Sequence, residues 1–171
     1  MTATRVAAAA AALITALLVQ ATVVGPATYP WPVSLPAVLV AAVALVDGPG
    51  TGMSLGFAAG LIADLGSHHP AGVLALCWLA VGVGCGMFRD RRSVRRDALL
   101  AGVFCSLASA VTIVLLDLAH GSVDLTSALR YIAPTALLDT ALAFVLVPLA
   151  RAALHTESLR SRAPLIGAGR E

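Results

Sequence analysis

Apolar segments make up most of this chain and restrict it to a fold that crosses a membrane. Hydrophobic residues form 59% of the 171 residues and charged residues only 12%, whereas soluble domains average about 45–50% and about 25%. The first apolar run, Val6 to Val24, is long enough to cross a bilayer as a helix. The sequence therefore predicts an all-α integral membrane protein, with room for one compact bundle and no sizeable soluble domain.

Further apolar segments follow, and two of them are short. The segments run over residues 35–46, 53–65, 71–88, 98–119 and 131–154. The first two would each cover roughly 20 Å as a helix, against a hydrocarbon core of about 30 Å. They form either two short tilted spans or a hairpin that dips in and returns, joined by a turn at Asp47-Gly48-Pro49-Gly50. The proline-rich stretch Gly25 to Pro36 is predicted to be an interfacial loop.

The placement of the arginines predicts the orientation of the bundle. All eleven basic residues are arginines, and five of them lie close together: Arg89, Arg91, Arg92, Arg95 and Arg96. Because basic loops remain in the cytoplasm, this loop is predicted to be cytoplasmic and to determine the topology. It could also contact anionic headgroups or an acidic partner. About six spans then place both termini in the cytoplasm, with a transmembrane bundle over residues 1–155 and a polar, disordered tail over residues 156–171.

A stripe of glycines in the second short segment ends at an acid. Gly52, Gly56, Gly60 and Asp64 recur every four residues, so they lie along one side of a helix. Small residues let another helix approach closely in a membrane, and an acid there is costly unless it faces protein or water. The stripe is predicted to pack against its own bundle or against a partner, and the first is favoured because the short segments need neighbours.

Acids in or near the apolar segments are Asp64, Asp117 and Asp139. Six spans place them at similar depth, toward the outer face. Two interpretations are open. The acids either lie near helix ends and reach interfacial water, or they form a shared polar cluster with Arg130 or the histidines of the 66–70 turn as counter-charge.

Other polar residues give no sign of catalysis or of a bound cofactor. His68 and His69 are adjacent, so their rings would diverge on a helix, and no known metal-ligand spacing is present. Cys77, Cys85 and Cys105 form no CxxC pair and are predicted to be small apolar residues. The sequence predicts no enzyme activity, no cofactor, no metal and no nucleic-acid partner.

The most distinctive segment is Gly52-x-x-x-Gly56-Phe57-Ala58-Ala59-Gly60-Leu61-Ile62-Ala63-Asp64-Leu65, followed by Gly72 and an apolar span. It resembles a segment typical of the rod shape-determining protein MreD family. Gln20, Pro36 and Pro134 also resemble the family pattern, and length and hydropathy agree over almost the whole chain. One position departs from it: the family often has an acid after the proline that opens the second helix, where this chain has Ala37.

The resemblance implies a non-enzymatic component of the bacterial cell-elongation machinery in the inner membrane, active in peptidoglycan synthesis and cell shape. It implies a bitopic MreC-type partner, and through it the actin-like filament MreB and the peptidoglycan synthases. It also implies a six-helix bundle like the substrate-binding subunits of energy-coupling-factor transporters. The candidate helix-packing or partner surface comprises Gly52, Gly56, Phe57, Gly60, Asp64 and Gly72. The alternative function is a small-molecule-binding subunit of a vitamin-type transporter.

Overall fold

The computed structural model describes residues 3–31, 33–66, 72–88, 93–119 and 125–160, and nearly all of them are helical. The elements are α1 (Ala3–Val19), a π-helical turn (Gln20–Val24), α2 (Gly25–Thr28), α3 (Leu35–Asp47), α4 (Pro49–Leu65), α5 (Val73–Met87), α6 (Val94–Ala119) and α7 (Leu125–Arg160). Since α1, the π-helical turn and α2 are continuous, the described residues form six consecutive helical stretches. The predicted all-α bundle is confirmed.

Three of these stretches are long and apolar enough to cross a membrane: Ala7–Thr28, Val94–Leu116 and Arg130–Ala153. Two shorter apolar helices, Leu35–Asp47 and Val73–Met87, accompany them. This pattern agrees with the predicted multi-pass membrane protein that contains short helices. Because α7 ends at Arg160, its last turn enters the predicted tail, and residues 161–171 lie outside the described part of the chain.

The first helix is longer than the sequence predicts. The N–H of Gly25 donates to the carbonyl oxygen of Gln20, five residues earlier, and closes the π-helical turn. Pro26 follows inside the same continuous helical stretch, where a local π-helical adjustment accommodates a proline that would otherwise break the helix. The predicted interfacial loop is therefore wrong at its start, since the chain remains helical to Thr28.

The turn between the two short helices is also tighter than predicted. Asp47 ends α3 and Pro49 begins α4, so Gly48 alone forms the connection. Gly48 has a φ of 100°, a backbone conformation that costs glycine little and other residues much. The single-residue turn lets α4 begin at Pro49 and reach 17 residues, which is longer than the predicted segment.

The core of the bundle is built around α3, which packs against α1, α4, α5, α6 and α7. Val38, Ala41, Ala42 and Ala44 of this helix are 0% exposed. Alanines on several sides allow the surrounding helices to approach closely. Although α3 is short, it is the element that the other helices share.

Consecutive helices run in opposite directions, which gives the bundle two ends. Contacts between Asp64 and Ala75 and between Ser34 and Asp139 mark one end, called the Asp64 end below. A contact between α6 and α7, through Asp97 and Arg151, marks the opposite end. This second end also contains Gly48 and the exposed Arg95 and Arg96, and is called the arginine end.

Candidate functional site

The glycine stripe of α4 lies against α5 of the same chain. A Cβ atom added at Gly56 would meet the backbone carbonyl of Trp78, and one added at Gly60 would meet the backbone of Ala75. At Gly52 it would meet the backbone of Gly82 and a side chain of α3. The two helix backbones are therefore in direct contact, and any side chain larger than hydrogen would force them apart.

Glycines of α5 complete this interface from the other side. A Cβ atom at Gly82 would meet the carbonyl group of Gly52, and one at Gly86 would meet Pro49. Gly82 and Gly86 are four residues apart, as are the glycines of α4, so each helix presents a small-residue stripe to the other. Sequence reasoning did not match the two stripes, although their equal spacing was an available signal.

Asp64 occupies the N-terminus of α5. The residue is 4% exposed, and its carboxylate accepts hydrogen bonds from the backbone N–H groups of Gly72 (2.9 Å), Leu74 (3.2 Å) and Ala75 (3.1 Å). The first N–H groups of a helix have no partner within it, and the helix dipole favours an anion there. Asp64 therefore ties the last turn of α4 to the first turn of α5.

Gly72 makes this arrangement possible. Its φ is 99° and its ψ −13°, in the left-handed region, immediately before α5 begins. A residue with a Cβ atom adopts this conformation only at a cost. The turn it forms directs three N–H donors of the α5 end toward the carboxylate. Asp64 and Gly72, both candidate residues from the sequence, are therefore in direct contact in the structure.

Asp139 accepts a hydrogen bond at the N-terminus of α3. It is 0% exposed, and its Oδ1 accepts a hydrogen bond of 3.3 Å from the N–H of Ser34. Its Oδ2 has no hydrogen-bond partner within the described residues, and neither has the hydroxyl of Thr135 one turn earlier. Gln20 completes the same helix start, since Oε1 accepts from the N–H of Leu35 and Nε2 donates to the carbonyl of Val33, both at 2.8 Å.

The remaining candidate residues of the Asp64 end are only partly described. Arg130 is exposed near the start of α7. Asp117 lies in the last turns of α6, but its side chain is outside the described part of the structure. His68 and His69 are outside it as well. The described bonds of Asp64 and Asp139 go to backbone groups of two different helices. A shared polar cluster of these acids stays a prediction.

The arginine end contains a buried ion pair that sequence reasoning missed. Asp97 is 0% exposed and pairs with Arg151, whose side chain is 22% exposed. Arg95 and Arg96, in the same first turn of α6, are exposed, whereas Arg89, Arg91 and Arg92 lie outside the described residues. Arg151 was the available signal, because it is a lone basic residue in the apolar last segment.

A cavity of about 520 Å³ opens at the Asp64 end between α1, α3, α4, α5 and α6. Its walls are mostly apolar, and they carry no charged side chain among the described residues. Representative lining residues are Leu17, Ile62, Trp78 and Ile113; the polar lining residues are Gln20, Ser34, Ser109 and Thr112. In the described part of the chain, no group of three or more His, Cys, Asp or Glu residues is placed to hold a metal ion.

A family model described as rod shape-determining protein MreD matches residues 5–156, nearly the whole chain. The chain belongs to the MreD family. The predicted family resemblance is thereby confirmed, and with it a membrane protein that determines cell shape. No curated protein sequence and no solved structure matches this MreD family member. Its predicted likeness to the substrate-binding subunits of energy-coupling-factor transporters therefore stays a prediction.

Proposed function

We propose that this MreD family member is a non-enzymatic scaffold of the cell-elongation machinery in the bacterial plasma membrane. It would act with an MreC-type bitopic protein and, indirectly, with the actin-like filament MreB and the peptidoglycan synthases. The observation that supports a scaffold is that Asp64 and the glycines of α4, the most distinctive residues of the chain, are engaged with the backbone of their own bundle. Such contacts fix the position of α4 in the bundle, and they use these residues for packing rather than for chemistry.

The outward side of α4 is the surface that we assign to the partner. The glycines face α5, and the neighbouring side of α4, about 100° around the helix, presents Met53, Phe57 and Leu61, which are 48%, 47% and 42% exposed. These residues are four apart and form one apolar stripe. Phe57 belongs to the predicted partner surface and lies on this outward side, so we propose that the single membrane helix of the MreC-type protein packs against it.

Phe57→Ala tests this assignment, with Phe144→Ala as the matched control. Phe144 of α7 is 42% exposed, so both variants remove a similar, partly exposed ring. We expect Phe57→Ala to reduce the amount of MreC-type protein that co-purifies with the chain, and Phe144→Ala to leave it unchanged. Both variants should melt within a few degrees of the unmodified protein. Equal recovery with both variants would contradict the proposed contact surface.

A genetic experiment tests the broader proposal. Depletion of the chain should convert rod-shaped cells to rounded cells, and a copy with Gly56→Leu should fail to restore the rod because α4 and α5 can no longer pack. If depleted cells elongate normally, the protein has no part in elongation.

The cavity favours the alternative function, a small-molecule-binding subunit of a vitamin-type transporter. Its volume of about 520 Å³ is within the range of roughly 300–1,000 Å³ that is common for ligand pockets. A vitamin that binds there should raise the melting temperature of the purified protein. No shift with any member of a vitamin panel would argue against this alternative.

A further inference from the structure

We propose that the cavity at the Asp64 end holds the hydrocarbon chain of a membrane lipid. Ala21, Ile62 and Gly66 line the cavity and are all exposed residues. The cavity is therefore accessible from the side, beside the π-helical turn and the last turns of α4. In a chain that spans a membrane, the medium on that side is lipid.

The chemistry of the cavity wall selects an apolar occupant. Among the described residues no charged side chain lines it, so a carboxylate or phosphate would lose its hydration without gaining a counter-ion. Both the oxygen and the nitrogen of the Gln20 side-chain amide are hydrogen-bonded to backbone groups at the start of α3. The hydroxyl of Thr112 donates to the carbonyl of Ala108 at 2.8 Å. Ser34 accepts from the N–H of Ala37. Three of the four polar lining side chains are thus engaged within the bundle, so water would find few partners there, whereas hydrocarbon gains dispersion contacts with the wall.

The size of the cavity distinguishes a lipid chain from a partner helix. A helix with its side chains is roughly 10–12 Å across, which would require a groove along the whole bundle. The cavity of about 520 Å³ is confined to the Asp64 end. A single flexible chain can enter such a space from the side, and a helix cannot.

Trp78 provides a direct test, because it lines the cavity and is only 7% exposed. The chain has two tryptophans, so Trp31→Phe leaves Trp78 as the only one, and excitation beyond the tyrosine absorption band isolates its emission. The full-length protein is reconstituted in phosphatidylcholine vesicles with or without bromine on the lipid chains. Bromine quenches indole fluorescence only at short range. We expect brominated vesicles to quench Trp78 strongly.

Ala21→Phe should remove most of this quenching by filling the entrance of the cavity. Val23→Phe is the matched control, since Val23 belongs to the same π-helical turn, is 58% exposed and does not line the cavity. It should keep the quenching. Ile113→Phe fills the cavity from α6 and serves as a second filling variant, so the conclusion does not rest on Ala21→Phe alone. Melting curves identify any variant that does not fold.

The proposal is overturned if brominated lipid does not quench Trp78, or if the filling variants are quenched as strongly as Val23→Phe. It is also overturned if iodide in the aqueous phase quenches Trp78, because the cavity then contains water. Loss of quenching in both filling variants, with the control unchanged, supports it. None of these outcomes depends on binding of an MreC-type protein, so the test is independent of the scaffold proposal.

Discussion

Two buried acids at the Asp64 end differ in how many donors they bind. Asp64 accepts three backbone hydrogen bonds, whereas Asp139 accepts one of 3.3 Å and has a second oxygen without a partner among the described residues. A hydrogen bond to a charged group contributes about 1.5–3 kcal/mol to stability. A buried carboxylate with few bonds contributes less, because its desolvation is poorly offset.

We therefore expect Asp64→Asn to be more destabilising than Asp139→Asn. The amide at residue 64 would keep one acceptor and place its NH₂ group against N–H donors, for a loss of about 2 kcal/mol in the free energy of unfolding. The amide at residue 139 still offers an acceptor to Ser34, and only that one described bond is at stake, so the loss should be about 1 kcal/mol or less. Thermal unfolding in detergent measures both. The opposite order would show that the described bonds do not determine the stability.

Sequence spacing predicts which residues share a helix side but not which backbone groups they meet. Asp64 is found by its place at the end of the glycine stripe, and its donors lie 8 to 11 residues later, past a turn. The position of these donors depends on the φ angle of Gly72, which the spacing of residues in the sequence does not predict. The bond between Ser34 and Asp139 joins positions 105 residues apart. Only the packing of α3 against α7 brings them together.

At the scale of helices, α4 and α5 form the tightest described contact. Gly56→Ala should separate them, because its Cβ atom would overlap the backbone of Trp78, and backbone cannot turn aside as a flexible side chain can. We expect a loss of about 1–3 kcal/mol or more, as for other overpacked sites. Thermal unfolding again measures the change.

Gly50→Ala is the control within the same helix. A Cβ atom added at Gly50 would meet no described atom within 4 Å, and alanine favours a helix over glycine by about 0.5–1 kcal/mol. This variant should be neutral or slightly stabilising. Equal destabilisation of the two variants would mean that the cost at residue 56 comes from a source other than the α4–α5 contact.

Prolines explain why the helix boundaries differ from the sequence prediction. Pro36 and Pro49 each lie in the first turn of a helix, where a missing N–H costs little, and Pro26 lies inside the first helical stretch, beside its π-helical turn. Interpreted as helix breakers, they shorten the predicted first helix and delay the predicted start of α4. Pro134 and Pro148 lie inside α7, so a proline alone does not locate a helix end in this chain.

At the scale of the whole molecule, short helices account for the position of the acids. With 13 and 15 residues, α3 and α5 are roughly 20 and 22 Å long, less than the hydrocarbon core of about 30 Å. Each starts at the Asp64 end, where Asp139 or Asp64 meets its first N–H groups. A helix that starts below the membrane surface needs such partners, because lipid supplies none. The long helices, α6 and α7, flank this shortened centre.

The arginines predict the orientation of the bundle. We expect a cytoplasm-only fluorescent reporter to be active when fused at the N-terminus, within residues 89–92 or after residue 171. An enzyme that is active only in the periplasm should work when inserted within residues 67–71 or 120–124. Replacing the five loop arginines with glutamine should give mixed orientations, because basic loops fix the topology. A periplasmic signal from residues 89–92 in the unmodified chain would invert the bundle.

Labelling at residue 50 distinguishes two spanning short helices from a hairpin that dips into the membrane. Pro49 lies against Gly86, in the last turn of α5, so the turn between α3 and α4 reaches the arginine end. The three native cysteines are buried, and Gly50 is exposed. Gly50→Cys should therefore react with a membrane-impermeant thiol reagent added to the cytoplasmic side, as Arg95→Cys should at the start of α6. If Gly50→Cys reacts from neither side while Arg95→Cys reacts from the cytoplasm, the short helices end within the membrane and form a hairpin.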